Sequence, residues 1–260
     1  MAKPIIRTVH HLSCSGGSVI SKCIAAMPDV FLLSELHPDY CDELFFNPYD
    51  PVQQLLAQTE LKFNRKLRRQ IFLDRVSMTY QVLLKRNKIM VIRDHTHSDY
   101  LKLRSADDIQ DTTSLIDVLS EQYNVLSVLT VRNPLDSYIS LCKNRWNDAV
   151  QSFDDYCTRV LLMLNAYSRK NCSIYRYEDF CQDPDYVMKK ICLDLDLTFF
   201  DGYKSVFFRI PMTGDSGRGR DFQHITPLQP RTRTKELMSE AERSASFTEI
   251  AERLGYEAGA

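Results

Sequence analysis

The chain has 260 residues, enough for one large domain or two small ones, with a sizeable core and no need of disulfide staples. Its 33 Lys and Arg residues are balanced by 34 Asp and Glu residues, and the net charge of −1 disfavours a nucleic-acid coat, which needs a strong basic excess. Hydrophobic residues at 44% and charged residues at 26% exclude disorder as the dominant state.

The sequence lacks the features of an exported or membrane-spanning protein. No apolar run approaches the roughly 18 residues of a membrane span, and the polar N-terminus has no signal-peptide core. The eight cysteines form no C-x-x-C pair and lie mostly in apolar stretches, which predicts buried reduced thiols rather than a zinc site. We therefore expect a cytoplasmic protein, whose oligomeric state the sequence leaves open.

Strands and helices alternate along the chain, as apolar runs and helical spacing of apolar residues indicate. The predicted strands are Ile5–Leu12, Val30–Leu33, Lys88–Ile92, Val125–Val131 and Cys172–Tyr175. The predicted helices are Ser18–Met27, 51–86, Leu115–Tyr123, Leu135–Asn144, Phe153–Ser168, one from about Pro184 and one from about Lys235. With no convincing linker, the pattern predicts one α/β domain over residues 1–260, in which helices cover both faces of a mostly parallel sheet.

In sheets of this kind ligands bind beyond the carboxyl ends of the strands, and the segment after the first strand has the composition of a phosphate cradle. Gly16 and Gly17 let the backbone approach an anion, while Ser15 and Ser18 add hydroxyl donors in front of a helix N-terminus. A simple strand-to-helix turn with a serine cap is the alternative. No lysine precedes Ser18, so this is not a Walker A loop, which disfavours a P-loop kinase or NTPase.

A second candidate anion site follows the strand Val125–Val131. Arg132 stands at the end of that strand, Pro134 suits the first turn of a helix, and Ser140 lies about two turns along it. The guanidinium and the hydroxyl can hold one phosphate together. The alternative is an intramolecular salt bridge for Arg132 and a structural role for Ser140.

Together these segments resemble the sulfotransferases that use PAPS (3′-phosphoadenosine 5′-phosphosulfate), most closely the bacterial sulfotransferase-like proteins. Ser13–Val19 is similar to their 5′-phosphosulfate loop, written K/R-S-G-[ST]-[ST], and Arg132 with Ser140 keeps the spacing of their 3′-phosphate motif. Tyr175–Phe180, followed by Asp183 and Pro184, resembles their Y-E-D-h-x-x-D-P segment, whose tyrosine lies near the adenine. The matches run in the family's order from residue 9 to about 185.

The resemblance implies a P-loop-like three-layer fold and transfer of a sulfuryl group from PAPS to a hydroxyl or amine of a small-molecule or carbohydrate acceptor. The nucleotide product would be adenosine 3′,5′-bisphosphate (PAP), and the reaction would need no metal. Residues 209–235, with a local charge of +4, resemble the family's basic lid over the 3′-phosphate. The implied cofactor-binding residues are Cys14, Ser15, Gly16, Gly17, Ser18, Val19, Arg132, Ser140, Tyr177, Arg218, Gly219 and Arg220.

One residue departs from the family pattern. Cys14 stands where the family has a basic residue that stabilises the bridging oxygen as the sulfuryl group leaves. Loss of such a donor typically costs roughly 10²–10³ in rate, so another cation must replace it. The candidates are Arg93, Lys22 and His11, and Arg93 is favoured because it ends a strand at the edge of the site.

Two residues are candidates for the base that takes the acceptor's proton. Glu35 follows the second strand and His95 follows the third, and both positions have counterparts in the family. A histidine is the better generic base, whereas a glutamate needs its pKa raised by burial; the expected position beside the sulfate-holding loop favours Glu35. The neighbouring Asp94, His95, His97 and Asp99 have loop spacing without a second ligand cluster, which does not favour a metal site.

Two other functions remain open at this point. A small-molecule kinase would depend on Mg²⁺ and bind ATP. A non-catalytic module would bind PAP or another polyanion without turnover, and Cys14 is the residue that favours it. The acceptor cannot be read from the sequence, because the variable segments 38–86 and 97–120 would form its pocket.

Overall fold

Five parallel strands form the central sheet in the part of the chain that the computed structural model describes, namely residues 2–39, 50–102, 107, 109, 112–213, 225–226 and 231–256. The strands are β1 (Ile5–His10), β2 (Val30–Leu36), β3 (Ile89–Asp94), β4 (Asn124–Val131) and β5 (Ser173–Arg176). They pair in the order β2–β3–β1–β4–β5, and every pair is parallel. The predicted parallel sheet is confirmed.

Helices connect the strands. They are α1 (Gly17–Ala25), α2 (Pro51–Gln58), α3 (Arg65–Leu84), α4 (His97–Tyr100), α5 (Ser114–Leu119), α6 (Pro134–Lys143), α7 (Phe153–Arg169), α8 (Tyr177–Gln182), α9 (Pro184–Asp194), α10 (Lys235–Arg243) and α11 (Ala245–Leu254). Short 3₁₀ helices lie at Glu60–Phe63, Asp201–Ser205 and Phe207–Arg209. Within the described ranges, no helix combines the length and the apolar content that crossing a bilayer would require.

Side chains on the two faces of the sheet enter different cores, because successive residues of a strand point to opposite faces. Val91 of β3 packs with α1 and α9, whereas its neighbours Met90 and Ile92 pack with α3 and α5. In β4, Val128 joins the α1–α9 core and Leu129 joins the core formed with α6, α7 and α11. Helices therefore cover both faces, and the expected three-layer α/β architecture is confirmed.

Several element boundaries differ from the sequence prediction for local reasons. The predicted C-terminal helix is two helices, because the Ser244 hydroxyl accepts a hydrogen bond from the Phe247 amide and starts α11. The segment after β5, for which the sequence predicted no helix before Pro184, forms the short helix α8. Seven cysteines lie in the described ranges; all are free thiols and five are buried, as expected.

A buried polar cluster joins the carboxyl ends of the neighbouring strands β1 and β3. The Nδ1 atom of His10, the last residue of β1, lies 2.9 Å from Oδ2 of Asp94, the last residue of β3. The Tyr167 hydroxyl from α7 lies 2.9 Å from the same His10 nitrogen, and Thr96 donates to Asp94 at 3.0 Å. Burial alone would raise the pKa of Asp94, but the contacts with His10 and Thr96 lower it overall.

Arg159 of α7 is a fully buried cation that ties three segments together. Its guanidinium donates to the carbonyls of Tyr100 and Ala149 at 2.9 and 3.0 Å and to the Asp155 carboxylate at 3.0 Å. Because a buried charge is tolerated only when it is paired and hydrogen-bonded, these contacts fix the end of α4 against the segment before α7.

Replacing Arg159 by methionine should lower the free energy of unfolding by about 3 kcal/mol, because it leaves two carbonyls and a carboxylate without their donor. Urea unfolding measures this. Arg169→Met, at the exposed end of the same helix, is the matched control and should change stability by less than about 0.5 kcal/mol. Equal effects of the two substitutions would contradict a structural role for the buried guanidinium.

Candidate active site

A pocket of about 1010 Å³ lies where the loops after the first four strands meet. Its walls include residues of the loop after β1, the end of β2, the loop after β3 and the start of α6, with α8 on one side. The lining residues predicted from sequence are Cys14, Gly16, Gly17, Ser18, Val19, Glu35, Arg93, His95, Arg132, Ser140 and Tyr177. Ser15 is not among the lining residues, and Arg218, Gly219 and Arg220 lie outside the described residues.

The loop between β1 and α1 needs two glycines, because aromatic and imidazole rings lie against both of their α-carbons. Gly16 has a left-handed φ of 80°, and a Cβ there would lie 2.2 Å from the Tyr177 ring. A Cβ on Gly17 would lie 2.0 Å from the His11 ring. The Ser15 hydroxyl donates to the Leu12 carbonyl at 2.7 Å, so it closes the loop from within instead of facing the pocket.

The guanidinium of Arg93 joins the loop to the end of β2. Its side chain is only 4% exposed. It donates to His11 Nε2 at 2.7 Å and to the Ser18 hydroxyl at 3.2 Å. It also donates to the Ser34 hydroxyl at 2.9 Å and forms an ion pair of 2.6 Å with Glu35. The structure therefore brings this predicted cation into contact with the first loop.

Arg93, Lys22 and His11, the candidates to replace the basic residue that is absent at Cys14, differ in charge and in position. Burial and the charge of Arg93 lower the pKa of His11 well below its ordinary value, so the ring is neutral and accepts a hydrogen bond from Arg93. His11 therefore cannot supply positive charge at neutral pH. Lys22 lies one turn along α1 from Ser18, is 5% exposed and lines the pocket. Arg93 and Lys22 remain as cations beside the loop that carries Cys14.

A bulge near the end of β2 brings Glu35 to the site. Three residues of β2 span the step from Leu33 to Leu36 where β3 uses two, and Glu35 takes a left-handed φ of 60°. That conformation costs roughly 1–2 kcal/mol for a residue with a side chain. As a result both Ser34 and Glu35 contact Arg93, although adjacent residues of a regular strand would point to opposite faces.

Burial raises the pKa of Glu35, the ion pair with Arg93 opposes the rise, and Asp94 adds to it. The pKa of His95 moves the other way: burial and the charge of Lys102 lower it to about 4. Since a general base works best with a pKa near the working pH, the environment favours Glu35 over His95 for that role.

His95 and His97 lie together beside Glu35. Nδ1 of His95 lies 2.6 Å from the Ser98 hydroxyl, and its Nε2 lies 3.7 Å from Oε2 of Glu35. The centres of the two imidazole rings are 3.4 Å apart. Burial and the neighbouring His95 and Lys102 lower the pKa of His97 to about 3, so both rings are neutral at pH 7.

The second predicted anion site lies at the start of α6. Arg132 is buried; it donates to the Cys14 carbonyl at 3.4 Å, and its guanidinium carbon lies 5.5 Å from the centre of the Tyr177 ring. Its ion pair with Asp136 is long, at 3.7 Å. The Ser140 hydroxyl is buried and has no hydrogen-bond partner among the residues that the structure describes. A buried hydroxyl without a partner beside a guanidinium is suited to an anion.

Arg231 is a site residue that sequence reasoning did not single out. Its amide donates to Asp136 at 3.1 Å, its side chain lines the pocket, and its Nε is buried without a partner in the described ranges. The signal available in the sequence was the basic stretch 209–235, which holds six Lys and Arg residues and gives no reason to choose this one. Trp146, which also lines the pocket, belongs to no sequence motif, and His97, which the sequence analysis considered only as a metal ligand, lines it as well.

Comparison with solved structures supports a sulfotransferase fold. The sulfotransferase domain from the curacin biosynthetic pathway aligns over 99% of this chain and 99% of its own, with 15% identity and a TM-score of 0.58. The sulfotransferase domain from the Synechococcus PCC 7002 olefin synthase aligns over 99% and 97%, with 13% identity and a TM-score of 0.58. No protein-family model and no curated protein matches the sequence. At these identities the likeness concerns the fold alone.

The close approach of Gly17 to His11 predicts a strong coupling between the two positions. Gly17→Ala should destabilise the protein by about 1–3 kcal/mol, because the new methyl group displaces the His11 ring. Adding His11→Ala should remove the clash, so the double variant should be more stable than the sum of the single changes by about 1 kcal/mol or more. Urea unfolding of the four proteins measures this, and additive effects would contradict the packing.

Proposed function

We propose that this protein is a sulfotransferase that moves the sulfuryl group of PAPS to a hydroxyl or amine of a small-molecule or carbohydrate acceptor. One observation carries the proposal: two separate clusters of cationic and hydroxyl side chains, each suited to an anion, line a single pocket. Arg93 and Ser18 lie at the glycine loop, whereas Arg132 directly precedes α6 and Ser140 lies about two turns along that helix. PAPS has this distribution of charge, with a phosphosulfate on the 5′ oxygen and a phosphate on the 3′ oxygen.

The residues fit the donor on two structural counts. The buried Ser140 hydroxyl and Arg231 Nε, which lack partners among the described residues, are suited to the oxygens of a 3′-phosphate beside Arg132. Gly16 and Gly17 add no side chain to the loop in front of α1, and a Cβ at either position would collide with the Tyr177 or the His11 ring. The donor, when bound, supplies an activated sulfuryl group. Tyr177, whose ring packs against Gly16, would form the wall next to the adenine.

Arg93 and Lys22 would supply the positive charge that Cys14 does not. Preorganised donors stabilise charge that develops on a leaving oxygen, and a buried guanidinium does so without reorganising. Arg93 touches the Ser18 hydroxyl and Lys22 lies one turn further along α1. The ion pair with Glu35 fixes the direction of the Arg93 side chain.

Glu35 would act as the base that takes the acceptor's proton. Its carboxylate has one oxygen on Arg93 and the other turned toward His95, so it lies beside the glycine loop rather than in bulk water. Burial raises its pKa, which makes it a stronger base than an exposed glutamate. His95 would then orient the acceptor hydroxyl.

A module that binds PAP without turnover is the second candidate, and the observation that favours it is Cys14 in the position of the family's catalytic cation. The two candidates are separated by incubating the protein with PAPS and a panel of phenols, alcohols, amines and sugars, and following release of PAP. Turnover with any acceptor identifies a transferase, whereas tight PAP binding without turnover identifies a module.

Arg132→Ala should weaken PAP binding by about 1.5–3 kcal/mol, or roughly ten- to 150-fold in Kd, and barely change the binding of adenosine 5′-phosphate. The reason is that Arg132 would contact only the 3′-phosphate. Calorimetric titration with both nucleotides measures the difference. An equal loss for the two nucleotides would reject the assignment of Arg132, and tighter binding of ATP than of PAP would favour a kinase.

Glu35→Gln should keep the affinity for PAP within a few-fold and lower the rate of transfer by about 10²–10⁴, the usual effect of removing a general base. His95→Gln, measured in the same way, should lower the rate less. Both assays are run in EDTA, since the proposed chemistry needs no metal. The reverse ranking at equal PAP affinity would transfer the role of base to His95.

A further inference from the structure

Glu35, His95 and His97 form a cluster of possible metal ligands, and the proposed sulfuryl transfer does not require them to bind a metal. One ligand atom from each residue lies within 4.8 Å of the others, and this is the cluster with metal-ligating composition found in the described part of the chain. Two imidazoles and one carboxylate are a ligand set found in catalytic zinc sites. The three residues come from the end of β2 and from the segment that follows β3, so the sheet brings them together.

The distance between His95 and Glu35 is close to that between two ligands of one bound ion. In a tetrahedral zinc site with bonds of about 2.0–2.1 Å, the ligand atoms lie roughly 3.3 Å apart. Nε2 of His95 and Oε2 of Glu35 are 3.7 Å apart, so they would need to approach by only a few tenths of an ångström. The ligand atom of His97 lies within 4.8 Å of those of His95 and Glu35, and the two imidazole rings, whose centres are 3.4 Å apart, would have to separate for both to bind one ion.

Hydrogen bonds from Ser98 and Arg93 orient two of the ligands, as the outer hydrogen bonds of metal ligands do in metal proteins. The Ser98 hydroxyl lies 2.6 Å from Nδ1 of His95, which directs Nε2 toward Glu35. Arg93 binds Oε1 of Glu35 at 2.6 Å, which directs Oε2 toward His95. The left-handed backbone at Glu35 holds the carboxylate in this direction.

We propose that Glu35, His95 and His97 bind a divalent transition-metal ion, with Zn²⁺ as the favoured ion and the pocket open to a fourth ligand. Imidazole ligands disfavour Mg²⁺ and Ca²⁺, which prefer oxygen. The d electrons of zinc impose no geometric preference, so zinc tolerates ligands whose positions are set by other contacts. The positive charges of Arg93 and Lys102 oppose the binding of a cation, and the negative charge of Asp94 favours it. Because these charges offset one another, the two neutral imidazoles supply much of the affinity for zinc.

Bound zinc would inhibit sulfuryl transfer, because it would occupy Oε2 of Glu35 and Nε2 of His95, the two candidate bases. This consequence rests on the proposed function, whereas the binding of zinc does not. The site would then be an inhibitory one, in a protein that is active in its metal-free form.

Zinc binding is measured on the EDTA-treated, dialysed full chain by competition with a chromophoric zinc chelator. One equivalent of zinc should bind, and His97→Gln and Glu35→Gln should each weaken zinc binding at least tenfold. Changes to residues that only hydrogen-bond to a metal ligand already weaken metal binding by roughly 10–100-fold. Cys14→Ser is the matched control; it removes a thiol from the same pocket and should leave the zinc affinity unchanged. Circular dichroism checks that each variant is folded.

Cobalt supplies a second measurement that does not depend on a variant. The Co²⁺ form should show the d–d bands of nitrogen and oxygen ligation without a thiolate charge-transfer band. The proposal is overturned if the wild-type chain does not compete for Zn²⁺, if Cys14→Ser abolishes binding, if His97→Gln and Glu35→Gln both bind as tightly as wild type, or if a thiolate band appears.

The transfer assay separates this proposal from the proposed function. Zinc that binds as expected to a protein that turns over no acceptor supports the site and counts against the transferase. Turnover that zinc does not affect, in a chain that fails to bind zinc, supports the transferase and overturns the site. In an active enzyme, zinc should inhibit the wild type at lower concentration than it inhibits His97→Gln, each compared with its own rate in EDTA.

Discussion

The buried guanidinium of Arg93 is the group on which the rest of the site depends. A buried charge must be paired and hydrogen-bonded, so its partners are held where they can satisfy it. Those partners come from the loop after β1, from α1 and from the bulged end of β2: His11, Ser18 and Glu35. The bulge in β2 and its left-handed residue are explained by the same requirement, because they place a carboxylate where this cation needs one.

The same cation sets the protonation states around it. Its charge adds to burial in lowering the pKa of His11, and it opposes the rise that burial produces in the pKa of Glu35. A neutral His11 can accept from Arg93 and lie flat against Gly17, where a larger residue would not fit. The His10–Asp94 pair, one residue away on each strand, fixes the two strand ends between which these groups lie. The hydrogen bond from Arg93 and the contact with Gly17 thus both fix the His11 ring next to the loop after β1.

The two clusters proposed to hold the anions of the donor are organised differently. At the glycine loop the Arg93 guanidinium already has protein partners, because it donates to His11 and pairs with Glu35. Around Arg132 the contacts are long or missing: the ion pair with Asp136 is 3.7 Å, and Ser140 and Arg231 have side-chain atoms without partners among the described residues. Such groups gain more from an anion than satisfied ones do.

The sequence by itself determined the order of strands and helices, the parallel sheet and most of the pocket's predicted residues, because apolar runs and the segments after them are local properties of the chain. The sequence could not show that the Ser15 hydroxyl donates to the Leu12 carbonyl, since a loop's internal hydrogen bonds depend on its folded path. Only the tertiary structure shows the bulge at Glu35, the hydrogen bond by which Arg231 reaches Asp136 beside the pocket, and the close approach of Glu35 to His95 and His97. Each of these joins residues far apart in sequence, and only the packed sheet sets their distances.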